Sequence, residues 1–301
     1  MGTSLAVILA LGSFCPTVQN SLPRRLQEEP PPPERPTEPA TPPDEWVLEL
    51  LPNEGLYRPY LADPRQSHSG SKVEFPLRSS KNADIKIENT LGGFRTLALW
   101  KDPRRPDRAM DLSLEAAVFS RFNIIEEWDL DAADYRFGFP FVYREGNLAL
   151  KVHLWHLTSH LGDEYISREG RPRDSYHLDE LALGASVDLD PHSRAYIEAG
   201  AALYRGSDTG SGRVQGGVEW TGRPFESGGR LAPFVAADLQ GRRETDWTPN
   251  LTVTGGVLLR PAEGRGSRLR GFLEYYRGAD QQTQFKSERE HYWAFGFAAD
   301  L

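Results

Sequence analysis

The sequence predicts an all-β fold: a transmembrane antiparallel β-barrel of about twelve strands, preceded by a signal sequence and a proline-rich linker. Apolar and polar residues alternate with a period of two in about twelve segments, and turn residues separate these segments. The polar face of several segments carries Arg and Glu in mid-strand, as in the interior of a membrane barrel. Segments of ten to thirteen residues match a tilted crossing of a bilayer. A soluble β-sandwich or barrel is the alternative architecture.

The alternating segments continue to the C-terminus. Within 148–158, for example, Val152 and Leu154 share one face, while Lys151 and His153 share the other. The predicted strands lie near 72–78, 92–101, 110–122, 135–143, 148–158, 177–189, 194–205, 212–222, 230–241, 249–260, 268–278 and 289–301. Twelve strands make a narrow barrel, and interior Arg and Glu side chains are expected to fill it, so no wide pore is predicted.

The N-terminus predicts export. Residues 4–14 are apolar but too few to span a bilayer as a helix, and they match the hydrophobic region of a signal peptide, although no Lys or Arg precedes them. We assign 1–20 as the signal peptide. Cys15 is the one cysteine, so no internal disulfide can form. Because Phe14 stands where a lipoprotein signal needs a small residue, removal of Cys15 with the signal is favoured over its lipidation.

A proline-rich linker follows at 21–43, too poor in apolar residues to build a core. We assign 44–71 as the segment that leads the chain into the barrel on the periplasmic side, and 72–301 as the barrel. In this leading segment Arg58, Asp63 and Arg65 are expected to form a local ion pair, or simply to belong to a proline-bounded structural stretch.

The C-terminus and the connection lengths favour a bacterial outer membrane. Residues 291–301 are aromatic and alternating and resemble the C-terminal signal read by the barrel-assembly machinery. With an even strand count both termini lie in the periplasm, which places the long connections 123–133 and 160–176 outside and the tight turn at 145–146 inside. The linker then lies in the periplasm, and outer-membrane lipids and the assembly machinery are the expected partners. A net charge of −8 without a basic run argues against a nucleic-acid partner.

Three stretches resemble the bacterial domain-of-unknown-function family 1207 (DUF1207). They are Leu-Tyr-Arg-Pro-Tyr-Leu-Ala-Asp-Pro-Arg (56–65), Ala-Asp-Tyr-Arg-Phe-Gly-Phe-Pro-Phe-Val-Tyr-Arg (133–144) and His-Leu-Thr-Ser-His-Leu-Gly-Asp-Glu-Tyr (156–165). The resemblance spans residues 45–301. It implies a barrel and no particular activity.

The third stretch holds the candidate catalytic residues. On a strand that begins at residue 148, His156 and Thr158 are predicted to face outward at the outer rim, and Ser159 inward. The pattern resembles the His-x-Ser-Asn pattern of the outer-membrane phospholipase A and the lipid A deacylase, with Thr158 in place of Ser and Ser159 in place of Asn. Asp179, on the next strand, is the candidate to orient the imidazole.

A metal site is the second reading of this stretch. Asp163 and Glu164, with loop carbonyls, offer the oxygen ligands that Ca²⁺ prefers, and His160 adds an imidazole. His156 and His160 cannot both bind one Zn²⁺ on a regular strand, because residues four apart lie about 13 Å from each other. Asp163 and Glu164 also compete with Asp179 as the orienting acid. The sequence requires no cofactor, and if a metal binds at this stretch, Ca²⁺ is the one that its oxygen ligands favour.

The third interpretation of this stretch is a hydrogen-bonded motif at the barrel rim that has no catalytic or metal-binding role. The sequence favours this interpretation. The leading functional hypothesis is therefore an outer-membrane barrel with a structural role or a narrow channel for small solutes. The alternative is an outer-membrane lipid acyl hydrolase that uses His156 and Thr158. The sequence leaves the oligomeric state open.

Overall fold

The structure, a computed structural model, describes residues 45–77, 84–172, 175–206, 210–260 and 268–300. In these ranges the chain forms thirteen β-strands and one α-helix, and no helix there is long and apolar enough to cross a membrane. The elements are β1 (Val47–Leu50), β2 (Ser69–Pro76), β3 (Lys86–Lys101), β4 (Arg108–Asn123), β5 (Asp129–Glu145), β6 (Leu148–Leu161), α1 (Asp163–Glu169), β7 (Tyr176–Asp188), β8 (Ser193–Arg205), β9 (Gly212–Thr221), β10 (Leu231–Arg242), β11 (Asn250–Leu259), β12 (Arg268–Ala279) and β13 (Arg289–Asp300). The predicted signal peptide (1–20), the linker (21–43) and Cys15 lie outside the described residues.

Strands β2 to β13 close into a barrel. Each pairs antiparallel with the next, and β2 completes the ring because it pairs with both β3 and β13. Strand β1 lies outside this ring of twelve and pairs with residues 98–101 of β3, beyond the part of β3 that β2 covers. The structure confirms the predicted twelve-stranded antiparallel barrel.

Burial is inverted relative to a soluble protein, since apolar side chains cover the outside and charged ones the inside. On β6, Leu150 and Leu154 are 44% and 46% exposed, whereas Lys151 and His153 are 7% and 3% exposed. Successive side chains of a strand point to opposite faces, so one alternating sequence builds both surfaces. An apolar exterior of this extent is unfavourable in water and stable in lipid, as in barrels of the outer-membrane type.

The barrel has two unlike ends. The turn end carries the end of β13 and the connections 102–107, 146–147, 189–192 and 222–230, while the loop end carries 124–128, 162–175, 243–249 and 280–288. The prediction of a long connection at 123–133 is wrong. The connection comprises only 124–128, because β4 and β5 pair as far as Asn123 and Asp129.

Helix α1 was not predicted from the sequence. It forms in the longest connection between neighbouring barrel strands, 162–175, and is capped by Gly170, whose positive φ of 63° suits glycine.

Residues 51–68, here called the lumen segment, run through the interior of the barrel between β1 and β2. The Leu61 N–H donates to Glu219 Oε1 of β9 at 2.7 Å, and Arg65 Nη2 pairs with Asp134 Oδ2 of β5 at 2.5 Å. These partners point inward from strands on different sides of the ring, so the segment must lie inside it. The sequence predicted that Arg and Glu side chains of the wall fill the barrel. In the structure the lumen segment fills the interior together with those side chains.

The arginines of the lumen segment bind the wall and not each other. Arg58 pairs with Asp188 at the turn end, and Arg65 pairs with Asp134. Asp63 Oδ1 accepts the backbone N–H of Arg65 at 2.9 Å. The local ion pair expected among Arg58, Asp63 and Arg65 is therefore replaced, because the buried carboxylates of the wall need cations of their own.

Burial also changes how the lumen segment titrates. It raises the pKa of the Tyr57 and Tyr60 phenols, and it lowers the pKa of His68 to about 3. At neutral pH both tyrosines thus keep their protons and donate hydrogen bonds, Tyr57 to Gln66 Oε1 (3.1 Å) and Tyr60 to Glu198 Oε2 (3.4 Å).

A buried ion cluster closes the loop end. The guanidinium of Arg121 is 0% exposed and pairs with Glu88 at 2.5 Å, Asp280 at 2.7 Å and Glu290 at 3.1 Å. These carboxylates belong to β3, to the connection 280–288 and to β13. One side chain of β4 therefore joins the wall to a connection that folds into the barrel mouth.

The filled interior predicts a closed pore. We expect the protein to give no steady ion conductance in a planar bilayer, because the lumen segment and the connection 280–288 occupy the path. Replacing residues 53–66 with Gly and Ser at constant length removes the wall contacts, and this variant should conduct. Steady conductance by the unaltered protein, or silence of the variant once its folding in lipid is verified, would contradict this expectation.

Candidate functional site

An imidazole and a carboxylate meet on the outer surface of the barrel near the loop end. The register of β6 and β7 sets His156 directly opposite Asp179, and His156 Nδ1 lies 2.5 Å from Asp179 Oδ1. The two side chains are 48% and 38% exposed. In the arrangement of a hydrolytic dyad, Nδ1–H donates to the carboxylate and Nε2 is left as a base. This predicted neighbour relation is present in the structure, while its catalytic meaning stays a prediction.

Thr158 lies on the same face as His156, two residues further toward the loop end. It is half-buried, and its partner across β7 is His177. Among the described residues, no hydrogen bond joins the Thr158 hydroxyl to the His156 ring. Such contacts between nucleophile and base often tighten only when substrate binds. Thr158 thus lies on the same face of β6 as His156, but no hydrogen bond fixes its hydroxyl to the imidazole.

Ser159 lies on the opposite face of β6. It is 2% exposed, points into the barrel, and its hydroxyl has no hydrogen-bond partner. Its carbonyl accepts a hydrogen bond of 3.0 Å from Gln284 Nε2. Alternation along a strand separates Ser159 from His156, so the structure does not bring this candidate to the dyad.

The candidate metal ligands are spread over two elements. His160 faces outward and meets the Tyr135 ring edge-on at 5.8 Å, while Asp163 and Glu164 are exposed in the first turn of α1. In the part of the chain that the structure describes, no three His, Cys, Asp or Glu side chains are grouped closely enough to hold a metal ion. The geometry gives no support to a metal site.

Apolar side chains border the dyad toward the turn end. Phe137 of β5 is opposite His156, and it meets Phe139 edge-to-face at 5.0 Å. Leu154 and Leu181 form the cross-strand pair next to the dyad. His156 is eight residues from Leu148, which at a tilt of about 40° is about 20 Å along the barrel axis, close to the far edge of an apolar band of about 25 Å. The dyad therefore lies about 20 Å along the barrel from the turn-end boundary of β6.

The place of Phe137 was not inferred from the sequence, although a signal for it exists. The turn at 146–147 pairs Glu145 with Leu148, and counting back along both strands sets Phe137 against His156. The lumen segment gave no comparable signal, since it has no periodic pattern.

The described part of the barrel also holds interior cavities. One of about 60 Å³ lies beside Tyr60, Lys151 and Glu198 and has room for a few waters only. Another, of about 1190 Å³, opens at the turn end beside the lumen segment. Among its arginines, Arg194 pairs with Glu219 at 2.6 Å, whereas Arg95 and Arg260 donate to backbone carbonyls.

Solved outer-membrane barrels resemble this chain in fold at low sequence identity. The outer membrane phospholipase A from Escherichia coli is 11% identical, with 82% of this chain and 95% of that chain covered and a TM-score of 0.48. The KdgM porin is 6% identical, with 77% and 98% covered and a TM-score of 0.43. The β domain of the Bordetella autotransporter BrkA is 16% identical, with 77% and 98% covered and a TM-score of 0.40. No curated protein matches the chain.

A family model covers nearly the whole chain. The model described as protein of unknown function (DUF1207) matches residues 15–300. The match includes the stretches 56–65, 133–144 and 156–165 that carried the resemblance in the sequence. This chain therefore belongs to the DUF1207 family.

Proposed function

We propose that the protein is an outer-membrane lipid acyl hydrolase whose base is His156, oriented by Asp179, and whose nucleophile is Thr158. The hydrogen bond of 2.5 Å between His156 Nδ1 and Asp179 Oδ1, on the lipid-facing surface, carries this proposal. It supports hydrolysis, which the sequence offered as the alternative to a structural role. Ionisable side chains that face lipid are unfavourable, and a purely structural wall does not need them. Ester hydrolysis gives the His156–Asp179 pair a function at this place.

The proposed reaction is acyl transfer in two steps. His156 Nε2 takes the proton of the Thr158 hydroxyl as its oxygen attacks the ester carbonyl carbon. His156 then gives that proton to the departing alcohol oxygen, which leaves an acyl ester on Thr158. Water, deprotonated by His156, attacks this ester; His156 returns the proton to the departing Thr158 oxygen, and the fatty acid is released. Asp179 holds the imidazole and stabilises its charged form, and the scheme requires no metal.

The surroundings of the dyad support a lipid as the substrate. With the loop end outside, an outer-leaflet lipid would place its acyl chains along Leu154, Leu181 and Phe137 and its ester groups beside His156. The long connection 162–175 and the tight turn 146–147 favour this orientation, with the linker in the periplasm.

A structural barrel without an open pore is the second candidate function. The lumen segment favours it, because its contacts with Glu219 and Asp134 obstruct the channel that the sequence had suggested. The outward aromatic row of Trp293, Phe295 and Phe297 on β13 supports delivery by the barrel-assembly machinery under either function.

The test is release of fatty acid. Purified protein in detergent is given phospholipid or lipid A, with and without Ca²⁺, and the free acid is measured. We expect release by the unaltered protein and a loss of at least about 10²-fold in His156→Ala. The control is His192→Ala, which alters a histidine in a turn-end connection. No release from any lipid under any of these conditions would leave the structural role as the function.

A further inference from the structure

We infer that Asp134 is a latch through which the lumen segment holds the connection 280–288 and, with it, the loop-end part of β6. This inference concerns the regulation of the site around His156 and so rests on the proposed function for its catalytic consequence. Its structural part stands on contacts that do not depend on that function.

Asp134 receives partners from two separate parts of the chain. It is 0% exposed and points inward from β5. Its Oδ2 pairs with Arg65 Nη2 of the lumen segment at 2.5 Å. The same oxygen accepts the backbone N–H of Thr283 at 3.1 Å and the Thr283 hydroxyl at 2.6 Å. One carboxylate oxygen thus joins the lumen segment to the connection at the loop end.

The connection 280–288 in turn is hydrogen-bonded to β6, the strand that carries His156. Gln284 Nε2 donates to the carbonyl of Ser159, which is adjacent to Thr158 and directly opposite Asp134 in the register. Phe285 packs edge-on against Tyr165 of α1 at 5.1 Å. The loop-end part of β6 and the helix that follows it are therefore both held by a connection that Asp134 anchors at Thr283 and Arg121 anchors at Asp280.

The charge of Arg65 makes this anchor conditional on the lumen segment. A buried carboxylate without a cation is strongly unfavourable, and Arg65, which also covers the Phe119 ring at 4.1 Å, provides that cation. Without it, water must reach Asp134 to solvate the carboxylate, and Thr283 lies in the way. The hydrogen bonds from Thr283 are then exchanged for hydrogen bonds from water, and the connection 280–288 loosens. A movement of the lumen segment would reach the dyad by this route.

The experiment compares two arginines of the same segment. Arg65→Gln removes the cation of the latch, while Arg58→Gln, the matched control, removes the pair with Asp188 at the turn end. Hydrogen–deuterium exchange of the amides at 280–288 is measured in the full-length barrel reconstituted in lipid, together with kcat for fatty-acid release. We expect exchange at Thr283 to rise about tenfold in Arg65→Gln and to stay unchanged in Arg58→Gln. We expect kcat to fall in Arg65→Gln with little change in KM.

Two further variants keep the test decisive if Arg65→Gln does not fold. Arg65→Lys retains the charge and should retain most of the protection, whereas Thr283→Val removes the 2.6 Å hydroxyl bond from the other side and should raise exchange. Unchanged exchange in Arg65→Gln and Thr283→Val overturns the latch. Faster exchange in a protein whose unaltered form releases no fatty acid supports the latch and overturns only the proposed function. Faster exchange with unchanged kcat overturns the link from the latch to the dyad.

Discussion

Replacing Asp179 with alanine is expected to slow fatty-acid release by about 10³–10⁴-fold while leaving the barrel folded. Asp179 Oδ1 is the partner of His156 Nδ1, so its loss frees the ring to adopt the other tautomer and leaves the imidazolium without a counter-charge. The side chain is 38% exposed, so its removal costs the fold little.

The measurement is kcat on the lipid that the unaltered protein cleaves best, with folding verified by the heat-dependent mobility of the barrel on a denaturing gel. Asp190→Ala is the control, because Asp190 is an exposed acid in the connection 189–192 at the turn end. If Asp179→Ala retained full activity, Asp179 would not orient His156, and the acids of α1, Asp163 and Glu164, would be the next to test.

Replacing Arg121 with leucine is expected to destabilise the barrel by about 3–5 kcal/mol. Arg121 is the buried cation that Glu88, Asp280 and Glu290 share, and its removal leaves these carboxylates close together without it. Leucine fills part of the volume but satisfies none of the hydrogen bonds.

The free energy of unfolding is measured by denaturant titration of the barrel in lipid. Arg105→Leu is the matched control: Arg105 pairs with Glu145 at 2.5 Å in an exposed turn, where water screens the ion pair and its loss is expected to change stability little. Equal stability losses for the two variants would show that the Arg121 cluster does not hold the loop end.

The sequence predicted the wall of the barrel well because the wall is periodic. Each of the twelve predicted segments overlaps one strand from β2 to β13, since lipid outside and polar groups inside impose one alternation on all of them. The neighbour relation of His156 and Asp179 followed from the same alternation and from their places near facing strand ends.

The interior was predicted poorly for a physical reason. The lumen segment has no repeat, and its partners Asp134 and Glu219 are 69 and 158 residues away from Arg65 and Leu61. Contacts of that kind depend on which strands face each other across the closed ring, and no local pattern encodes that. The contacts of Asp134 with Arg65 and Thr283 likewise arise only in the closed ring.

The lumen segment also constrains how the protein can assemble. The ring is closed by the pairing of β2 with β13, the first and the last of its strands, so closure must wait for the end of the chain. The lumen segment precedes β2 and is fixed at both ends, by β1 on one side and β2 on the other. Threading it into a finished ring would require charged side chains such as Arg65 to pass along a wall already closed by β2 and β13, so we expect the segment to be in place before the ring closes. The strands would then close around a segment that already occupies the interior, and the lumen segment would act as a template for barrel assembly.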